Sequence, residues 1–475
     1  MQETINQLAA LISLIVDNLW QYLGVPIIIL VGLYFTLSSG FVQLRLFPKM
    51  LAMLGEGFHH TDDSGKKKAG ISGFEAFAIS IASRVGTGNL AGVAMAISLG
   101  GPGAIFWMWV MAFLGMATAF VESTLAQVFK VPSSESGHFR GGPAYYLRNA
   151  LNSNGIAILF SILMVITFGY VLNMIQVNTI ALSFQETFNL SPKISAIVLA
   201  IMTILILMGG AKRIANFSSL FVPVMALSYI VVGFIVVIMN YKNIPSVITL
   251  IFSSAFRADA AFGGFLGTMM VGVRRGLFSN EAGMGSAPAA AAAANTSHPV
   301  KQGLIQSFSV FTDTFVVCSV TAFIILGSGI WGVSEAQGIV LMQEALAQSI
   351  GSLSNYYVSI LIFIFAFTSV IGNYFYAESS LAYLTKENRL MLNVFKVTVA
   401  LMVFIGPLAE NLLVWNLGDL FVILMAFVNL YAIVRLFPVA KETLDDFTQQ
   451  LKLGKDPEFK RDRIKKWDIP VWKGE

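Results

Sequence analysis

Long apolar stretches separated by short polar segments run through most of the chain. A membrane helix needs roughly 20 apolar residues to cross about 30 Å of hydrocarbon, and the sequence predicts eleven such helices. We expect these spans at residues 20–43, 73–99, 103–131, 156–187, 192–209, 217–240, 263–294, 301–331, 353–384, 391–409 and 412–435. The pattern therefore predicts an all-α polytopic membrane protein.

The second predicted span is interrupted by small and polar residues. Gly86, Thr87, Gly88 and Asn89 lie in the middle of its apolar run. Lipid offers no partners for backbone groups that leave a helix, so irregular backbone at this depth occurs only where it lines a cavity. Such a break is typical of a binding site at the midplane of a transporter. Close helix packing is the alternative explanation, since Gly88 and Gly92 have small-xxx-small spacing.

The seventh predicted span carries a second interruption, five spans later. It runs from Val271 through Ser286 and is followed by Pro288 and an alanine run. This spacing matches an inverted repeat of five helices plus five, in which the first helix of each half is broken around one shared site. The predicted organisation is an extracellular N-terminus, a peripheral helix and a cytoplasmic loop in residues 1–72, one repeat in 73–240, the other in 241–435, and a basic cytoplasmic tail in 436–475.

Composition and charge indicate how the chain sits in the membrane. Hydrophobic residues make up 56% of the 475 residues, and the mean hydropathy is +0.74. With the N-terminus outside, 24 of the 30 Lys and Arg residues fall on the cytoplasmic side, as expected for cytoplasmic loops. Residues 1–19 lack a basic start and a small-residue cleavage site, so we expect no removable signal peptide. The expected location is the cell membrane, with the C-terminus in the cytoplasm.

Few residues suggest enzyme chemistry. Cys318 is the single cysteine and lies in an apolar run, where packing is its expected role. No paired-carboxylate, Cys/His or Ser-His-Asp arrangement is evident, and nucleic acid is not an expected partner. The basic cluster of the tail would either touch anionic lipid or be solvated. The four histidines, which are expected to be solvated in cytoplasmic loops, are His59, His60, His138 and His298.

Three stretches resemble characteristic motifs of the alanine or glycine:cation symporter family, also called sodium:alanine symporters. They are residues 85–89 (VGTGN), 100–110 (GGPGAIFWMWV) and 275–286 (RGLFSNEAGMGS). The resemblance covers residues 20–435. It implies a leucine-transporter-like fold with one extra N-terminal helix, and import of a small neutral amino acid, alanine or glycine, with a cation that is usually sodium.

The expected substrate is a zwitterion, which needs donors for its carboxylate and acceptors for its ammonium. Broken helices supply both, because half-helix N-termini present N–H groups and half-helix C-termini present carbonyls. We expect backbone donors around Thr87, Gly88 and Asn89 to bind the carboxylate. Oxygens near Phe278, Ser279 and Asn280 would then bind the ammonium.

The fourth span carries a polar stripe of Tyr170, Asn173 and Gln176, spaced three residues apart. The family resemblance places Asn173 and Gln176 at the substrate. Their amides both donate and accept hydrogen bonds, which suits a zwitterion. Hydrogen bonding between helices is the alternative role.

The resemblance also implies a sodium site with five oxygen ligands. The carbonyls of Ala82, Val85 and Phe365 and the hydroxyls of Thr368 and Ser369 would supply them. Hydroxyls in membrane helices often bond the carbonyls of their own helix instead. A second site near Asn89 and Asp313 is left open.

Charged residues inside spans need partners. Arg275 and Glu281 lie in the second break, where they would form either a gate that opens during the cycle or a permanent pair. The expected function is sodium-coupled symport by a chain that works as a monomer in the lipid bilayer. A proton-coupled carrier using Glu281, an ion channel and a membrane-embedded enzyme are the alternatives.

Overall fold

The computed structural model describes residues 2–56, 71–133, 139–257 and 264–461, together with Trp467, Ile469, Val471 and Trp472. Its α-helices are α1 Gln2–Leu19, α2 Val25–Ser38, α3 Val42–Arg45, α4 Phe47–Glu56, α5 Gly73–Arg84, α6 Val93–Gly100, α7 Gly103–Val128, α8 Pro143–Asn149, α9 Asn154–Met164, α10 Leu172–Phe188, α11 Pro192–Leu207, α12 Gly210–Met239, α13 Ile244–Ala255, α14 Gly264–Asn280, α15 Pro288–Ala293, α16 Pro299–Val310, α17 Ser319–Ser328, α18 Gly338–Ile350, α19 Ser354–Thr385, α20 Arg389–Ile405 and α21 Asn411–Lys452.

Several wider or tighter helical turns join these elements. The π-helical turns are Trp20–Gly24, Gly88–Gly92, Val165–Val171 and Phe311–Cys318, and the 3₁₀ turns are Tyr241–Asn243 and Gly406–Leu408. The antiparallel strands β1 Val131–Pro132 and β2 Phe139–Arg140 pair Val131 with Arg140. Long helices are the main elements of the described residues, which suits a membrane-spanning chain because a helix satisfies its own backbone hydrogen bonds.

Eight helices in the described part of the chain are long and apolar enough to cross a membrane. They are Leu11–Ser38, Gly103–Val128, Asn154–Phe188, Leu220–Met239, Pro299–Ser328, Ser354–Thr385, Arg389–Leu408 and Asn411–Lys452. Two shorter apolar helices, Gly88–Gly100 and Pro192–Leu207, accompany them. The prediction of a multi-pass helical membrane protein is confirmed.

The first predicted interruption lies between α5 and the π turn that leads into α6. Helix α5 starts at a capping box, in which Ser72 Oγ accepts from the Glu75 N–H and the Glu75 carboxylate accepts from the Ser72 N–H. It ends at Arg84, and Val85 and Gly86 are not helical. The helical path resumes at Thr87 and Gly88, so the chain leaves the helix where the sequence predicts.

The second interruption is shorter than predicted. Helix α14 continues to Asn280, so the expectation of an unwound segment from Val271 onwards is wrong. The backbone turns between α14 and α15, where Glu281, Gly283 and Gly285 adopt positive φ values of 56°, 89° and 83°. Two of these three are glycines, which adopt this conformation without steric cost. Phe278, Ser279 and Asn280 therefore form the last turn of a half-helix.

Helix α7 packs closely against α14 and the second break. An ideal Cβ placed on Gly276 would lie 3.2 Å from Met111 Cβ, and one on Gly115 would lie 2.8 Å from Ala282 Cβ. Glycine lets the two backbones approach at these points, as is usual for helix pairs in lipid. The contact fixes the second break against a continuous helix.

The ends of the chain differ from the predicted spans. The first helical path runs from Gln2 to Ser38 rather than over 20–43, because residues 2–19 form an additional helix. Helix α21 continues to Lys452, so the first part of the predicted tail is helical. Further along, the Phe459 N–H donates to Ser297 O and Trp472 Nε1 donates to Gln127 O. Helices α4, α8, α13 and α18 lie outside every predicted span.

The histidine expectation fails at His298, which is fully buried. Its imidazole lies 3.3 Å from Asp446 and accepts from the Val300 N–H. The extension of α21 covers this position, and burial lowers the pKa of His298. His59, His60 and His138 lie outside the described residues, as do Lys66 to Lys68 and Arg463, Lys465 and Lys466.

Candidate functional site

The two helix breaks meet inside the protein. An ideal Cβ on Gly88 would lie 3.1 Å from Ser279 Cα and 3.2 Å from the Phe278 ring. Gly88 and Ser279 are both buried. The backbone of the first break thus contacts the last turn of α14 directly, and a side chain at Gly88 would push the two apart.

Side-chain oxygens accept hydrogen bonds from the N–H groups of the first break. The Gly86 N–H donates to Asn89 Oδ1 over 2.9 Å. The Thr87 N–H and hydroxyl both donate to Gln176 Oε1, over 2.9 and 2.7 Å. The Gln176 oxygen therefore lies where a substrate carboxylate oxygen would accept from Thr87.

Asp313 joins both breaks to the Pro299–Ser328 helix. Asn89 Nδ2 donates to Asp313 Oδ1 over 2.6 Å. The hydroxyls of Ser279 and Thr314 each donate to Asp313 Oδ2 over 2.8 Å. Asn280 Nδ2 lies 3.3 Å from Thr314 Oγ1. Three predicted substrate residues therefore contact Asp313 or Thr314, namely Asn89, Ser279 and Asn280.

Cys318 takes part in the same cluster rather than only in packing. Its Sγ lies 3.3 Å from Asn89 Nδ2 and 3.2 Å from Ser279 Oγ. Asp313 and Cys318 both belong to the π turn Phe311–Cys318, and π turns within α-helices are frequent at functional sites. The sequence signal for this cluster was an aspartate inside an apolar span.

The polar stripe of the fourth span divides between two environments. Gln176 reaches the first break, whereas Asn173 is linked through Asn373 to the last turn of α5, because Asn373 Nδ2 donates to Asn173 Oδ1 over 3.0 Å. Asn373 Oδ1 in turn lies 2.7 Å from Ser83 Oγ. The Tyr170 hydroxyl lies 3.1 Å from Thr398 Oγ1. Ser83 and Asn373 were missed by sequence analysis.

Four of the five predicted sodium ligands lie together. Ser369 Oγ is 3.0 Å from Phe365 O and 3.4 Å from Val85 O. Thr368 Oγ1 is 2.8 Å from Phe365 O. Ala82 is buried on α5, three residues before Val85. Both hydroxyls also donate to the Phe365 carbonyl of their own helix, which is the bond that the alternative explanation requires.

Arg275 and Glu281 do not pair in this structure, so the expectation of a permanent pair is wrong. Arg275 pairs with Asp419, and Arg274 Nη2 lies 2.5 Å from the same carboxylate. The Arg275 guanidinium lies 4.9 Å from the centre of the Trp415 ring, which contacts the Phe278 ring at 4.8 Å. This cationic and aromatic cluster covers the last turn of α14 from one side.

We expect Asp419→Asn to destabilise the protein by about 3–5 kcal/mol, because removing one partner of a buried ion pair leaves uncompensated charge. Asp419 is almost fully buried, whereas the Asp17 side chain that contacts Arg274 is 47% exposed. Asp17→Asn is therefore the matched control. Thermal unfolding in detergent measures both, and equal unfolding temperatures for the two variants would contradict the expectation.

A cavity of about 220 Å³ lies beside α15. Small side chains of α15, Ala289 and Ala293, form part of its wall, and Phe375 and Ser379 of α19 form another part. Arg140 and Lys396, which belong to segments predicted to be cytoplasmic, also line it. The cavity therefore lies on the predicted cytoplasmic side of the second broken helix.

Comparison with known proteins identifies a matching family and similar relatives. The model of the sodium:alanine symporter family matches residues 5–461. The chain is 46% identical over 458 residues to the probable sodium/glutamine symporter GlnT of Bacillus subtilis, covering 96% of this chain and 94% of the relative. It is 46% identical over 457 residues to the amino-acid carrier protein AlsT of the same organism, covering 96% and 95%.

The fold resembles that of solved transporters. A crystal structure of MhsT in complex with L-phenylalanine superposes with a TM-score of 0.54 at 14% identity, covering 80% of this chain and 90% of MhsT. At that identity the likeness concerns the fold alone, which is leucine-transporter-like.

Proposed function

This chain belongs to the sodium:alanine symporter family, and we propose that it imports small neutral amino acids, such as alanine and glycine, together with sodium. The observation that carries the proposal is the contact between the two helix breaks at Gly88 and Ser279. Half-helix termini there offer N–H groups to the carboxylate of a zwitterion and carbonyls to its ammonium group.

The proposed substrate site consists of residues that share the meeting point of the breaks. They are Thr87, Gly88, Asn89, Asn173, Gln176, Phe278, Ser279 and Asn280. Binding would exchange the Gln176 oxygen at the Thr87 N–H for a substrate carboxylate oxygen. The C-terminal turn of α14 carries the negative end of the helix dipole and so favours an ammonium group.

The proposed sodium site consists of the carbonyls of Ala82, Val85 and Phe365 and the hydroxyls of Thr368 and Ser369. Val85 is the first non-helical residue of the break that holds the substrate, so an ion that orders Val85 also orders Gly86 and Thr87. Each ligand then strengthens binding of the other by the same factor. Sodium coupling follows from this shared segment.

The driving force is sufficient with one sodium ion. One charge that crosses ~100 mV gains ~2.3 kcal/mol, and a tenfold sodium gradient adds ~1.4 kcal/mol. Together these permit accumulation on the order of 500-fold. Nutrient uptake needs no more.

We assign transport to alternating access between two halves of five helices, with eleven spans in all and α1–α2 as the additional N-terminal span. The Arg275–Asp419 pair and the Phe278–Trp415 contact support closure toward the outside. The 220 Å³ cavity beside α15 supports an approach from the cytoplasm. The orientation proposed is N-terminus outside and C-terminus inside, with the monomer as the functional unit.

The experiment is uptake of labelled alanine into proteoliposomes with sodium or potassium outside, competed by glycine, serine, glutamine, leucine and D-alanine. We expect saturable uptake that needs sodium and is competed by small neutral amino acids. Uptake indifferent to sodium but dependent on a proton gradient would instead favour a proton-coupled carrier. Ion current without substrate would favour a channel.

A further inference from the structure

Two buried carboxyl groups lie at the second break, Glu281 within it and Glu122 on α7, and their hydrogen-bond partners differ in kind. Glu122 Oε1 accepts from the Gly283 N–H over 3.2 Å. Glu122 Oε2 accepts from the Gly285 N–H over 3.2 Å and from Asn429 Nδ2 over 2.8 Å. All three partners are donors, so Glu122 is held as a carboxylate, which only accepts.

Glu281 instead faces a hydroxyl whose hydrogen is already used. Its Oε1 lies 2.8 Å from Ser83 Oγ, and its Oε2 accepts from Ser286 Oγ over 2.7 Å. Ser83 Oγ also lies 2.7 Å from Asn373 Oδ1. Both separations from Ser83 Oγ are those of hydrogen bonds, yet a serine hydroxyl carries a single hydrogen.

A backbone carbonyl fixes the direction of the hydrogen bonds that run from Asn173 through Asn373 to Ser83. Gly169 O can only accept, so the amide nitrogen of Asn173 faces it, over 3.0 Å. Asn173 Oδ1 then faces Asn373 and requires its nitrogen as donor, over 3.0 Å. Asn373 Oδ1 is thereby turned toward Ser83, and because an amide oxygen, unlike a carboxyl oxygen, cannot carry a proton of its own, it takes the hydroxyl hydrogen. Ser83 Oγ has only lone pairs left for Glu281.

We propose that Glu281 is a proton-binding site, and that in this conformation its neutral carboxyl group donates a hydrogen bond to Ser83. The proton comes from solvent and is held between Glu281 Oε1 and Ser83 Oγ. Ser83 lies in the last turn of α5, and Glu281 is the first residue after α14. The proton therefore ties the first break to the second, and Glu281 acts as a positioning residue.

The charged and titratable groups that face Glu281 are Arg84, Asp313 and Tyr376. Arg84 and Asp313 carry opposite charges. The described hydrogen bonds of Arg84 go to Ser309 and to Gln306 O. Loss of the proton would leave a carboxylate against the lone pairs of Ser83 and would loosen the contact between the breaks. Uptake should therefore fall as pH rises.

The test compares Glu281→Gln with the matched control Glu122→Gln. In Glu281→Gln the new side-chain amide can donate to Ser83 and accept from Ser286, so this variant should keep uptake within about threefold of wild type. Its uptake should also lose the decline at alkaline pH. In Glu122→Gln the amide nitrogen replaces one of the two carboxylate oxygens and so faces at least one N–H donor in either orientation, so uptake should fall at least about 10-fold and the unfolding temperature should drop.

Infrared spectroscopy provides a readout that does not depend on transport. The protonated-carboxyl band of wild type should be diminished in Glu281→Gln and unchanged in Glu122→Gln. The uptake measurement rests on the proposed function, whereas the infrared and unfolding measurements do not. If the wild-type protein took up no amino acid, those two measurements would still decide the proposal. Identical carboxyl bands in wild type and Glu281→Gln, or Glu281→Gln destabilised as strongly as Glu122→Gln, would overturn the proposal.

Discussion

Gly86→Ala should reduce sodium-driven amino-acid uptake about 10- to 100-fold, the equivalent of the ~1–3 kcal/mol typical of overpacking a tight contact. An ideal Cβ at Gly86 would lie 2.8 Å from Gln176 Oε1 and closer still to Ser369 Oγ. One methyl group thus displaces a proposed sodium ligand and a proposed substrate residue together. Initial rates of labelled alanine uptake in proteoliposomes measure the effect.

Gly92→Ala is the matched control, because Gly92 lies in the same broken helix but has room. The nearest atoms to an ideal Cβ there are Thr87 O at 3.8 Å and the Trp415 ring at 3.9 Å. Uptake by this variant should stay within about twofold of wild type, since surrounding contacts remain unstrained. Equal losses in the two variants would show that helix packing in general, rather than the site, is sensitive at these glycines.

Removing the two proposed sodium hydroxyls should raise the sodium concentration for half-maximal uptake. Thr368→Val and Ser369→Ala each delete an oxygen near Phe365 O. Polar contacts with a charged partner contribute about 1.5–3 kcal/mol, so each variant should need roughly 10- to 150-fold more sodium. Uptake measured over a sodium series at constant ionic strength gives the value.

Thr385→Val distinguishes ion binding from the own-helix alternative. Thr385 Oγ1 donates to Leu381 O over 2.8 Å, the same kind of bond that Ser369 makes to Phe365, but far along α19 from both breaks. Its removal should leave the sodium dependence unchanged. If all three variants share the wild-type sodium dependence, Thr368 and Ser369 only bond their own helix.

Much of the site was predictable because polar residues inside an apolar span are costly and therefore conspicuous. Gly86 to Asn89 are polar or flexible at a depth where lipid cannot form hydrogen bonds with the backbone. The helix does break there. Glu281 was equally conspicuous. Its partner was not, because Ser83 lies 198 residues away and serine is common in membrane helices.

The pairing of charges could not be predicted from proximity along the chain. Arg275 and Glu281 lie six residues apart, but α14 continues to Asn280 and turns them to different neighbours. Asp419, the actual partner of Arg275, lies 144 residues further along on α21. Helix geometry decides which side chains meet, and the sequence pattern did not fix where α14 ends.

Local irregularities were also invisible to the sequence pattern. The π turn Phe311–Cys318 places Asp313 and Cys318 in the same cluster with Asn89 and Ser279. An apolar run shows the same composition whether its hydrogen bonds are α or π. Likewise, α21 extends to Lys452 because polar residues that follow the membrane span still favour a helix.

The most direct test of the central claim is an electron cryo-microscopy structure in lipid nanodiscs with saturating alanine and sodium. We predict alanine between residues 86–89 and 278–280, with its carboxylate at the N–H groups of the first break and sodium beside Val85 and Ser369. An uninterrupted helix over residues 73–100, or alanine bound away from both breaks, would contradict the account.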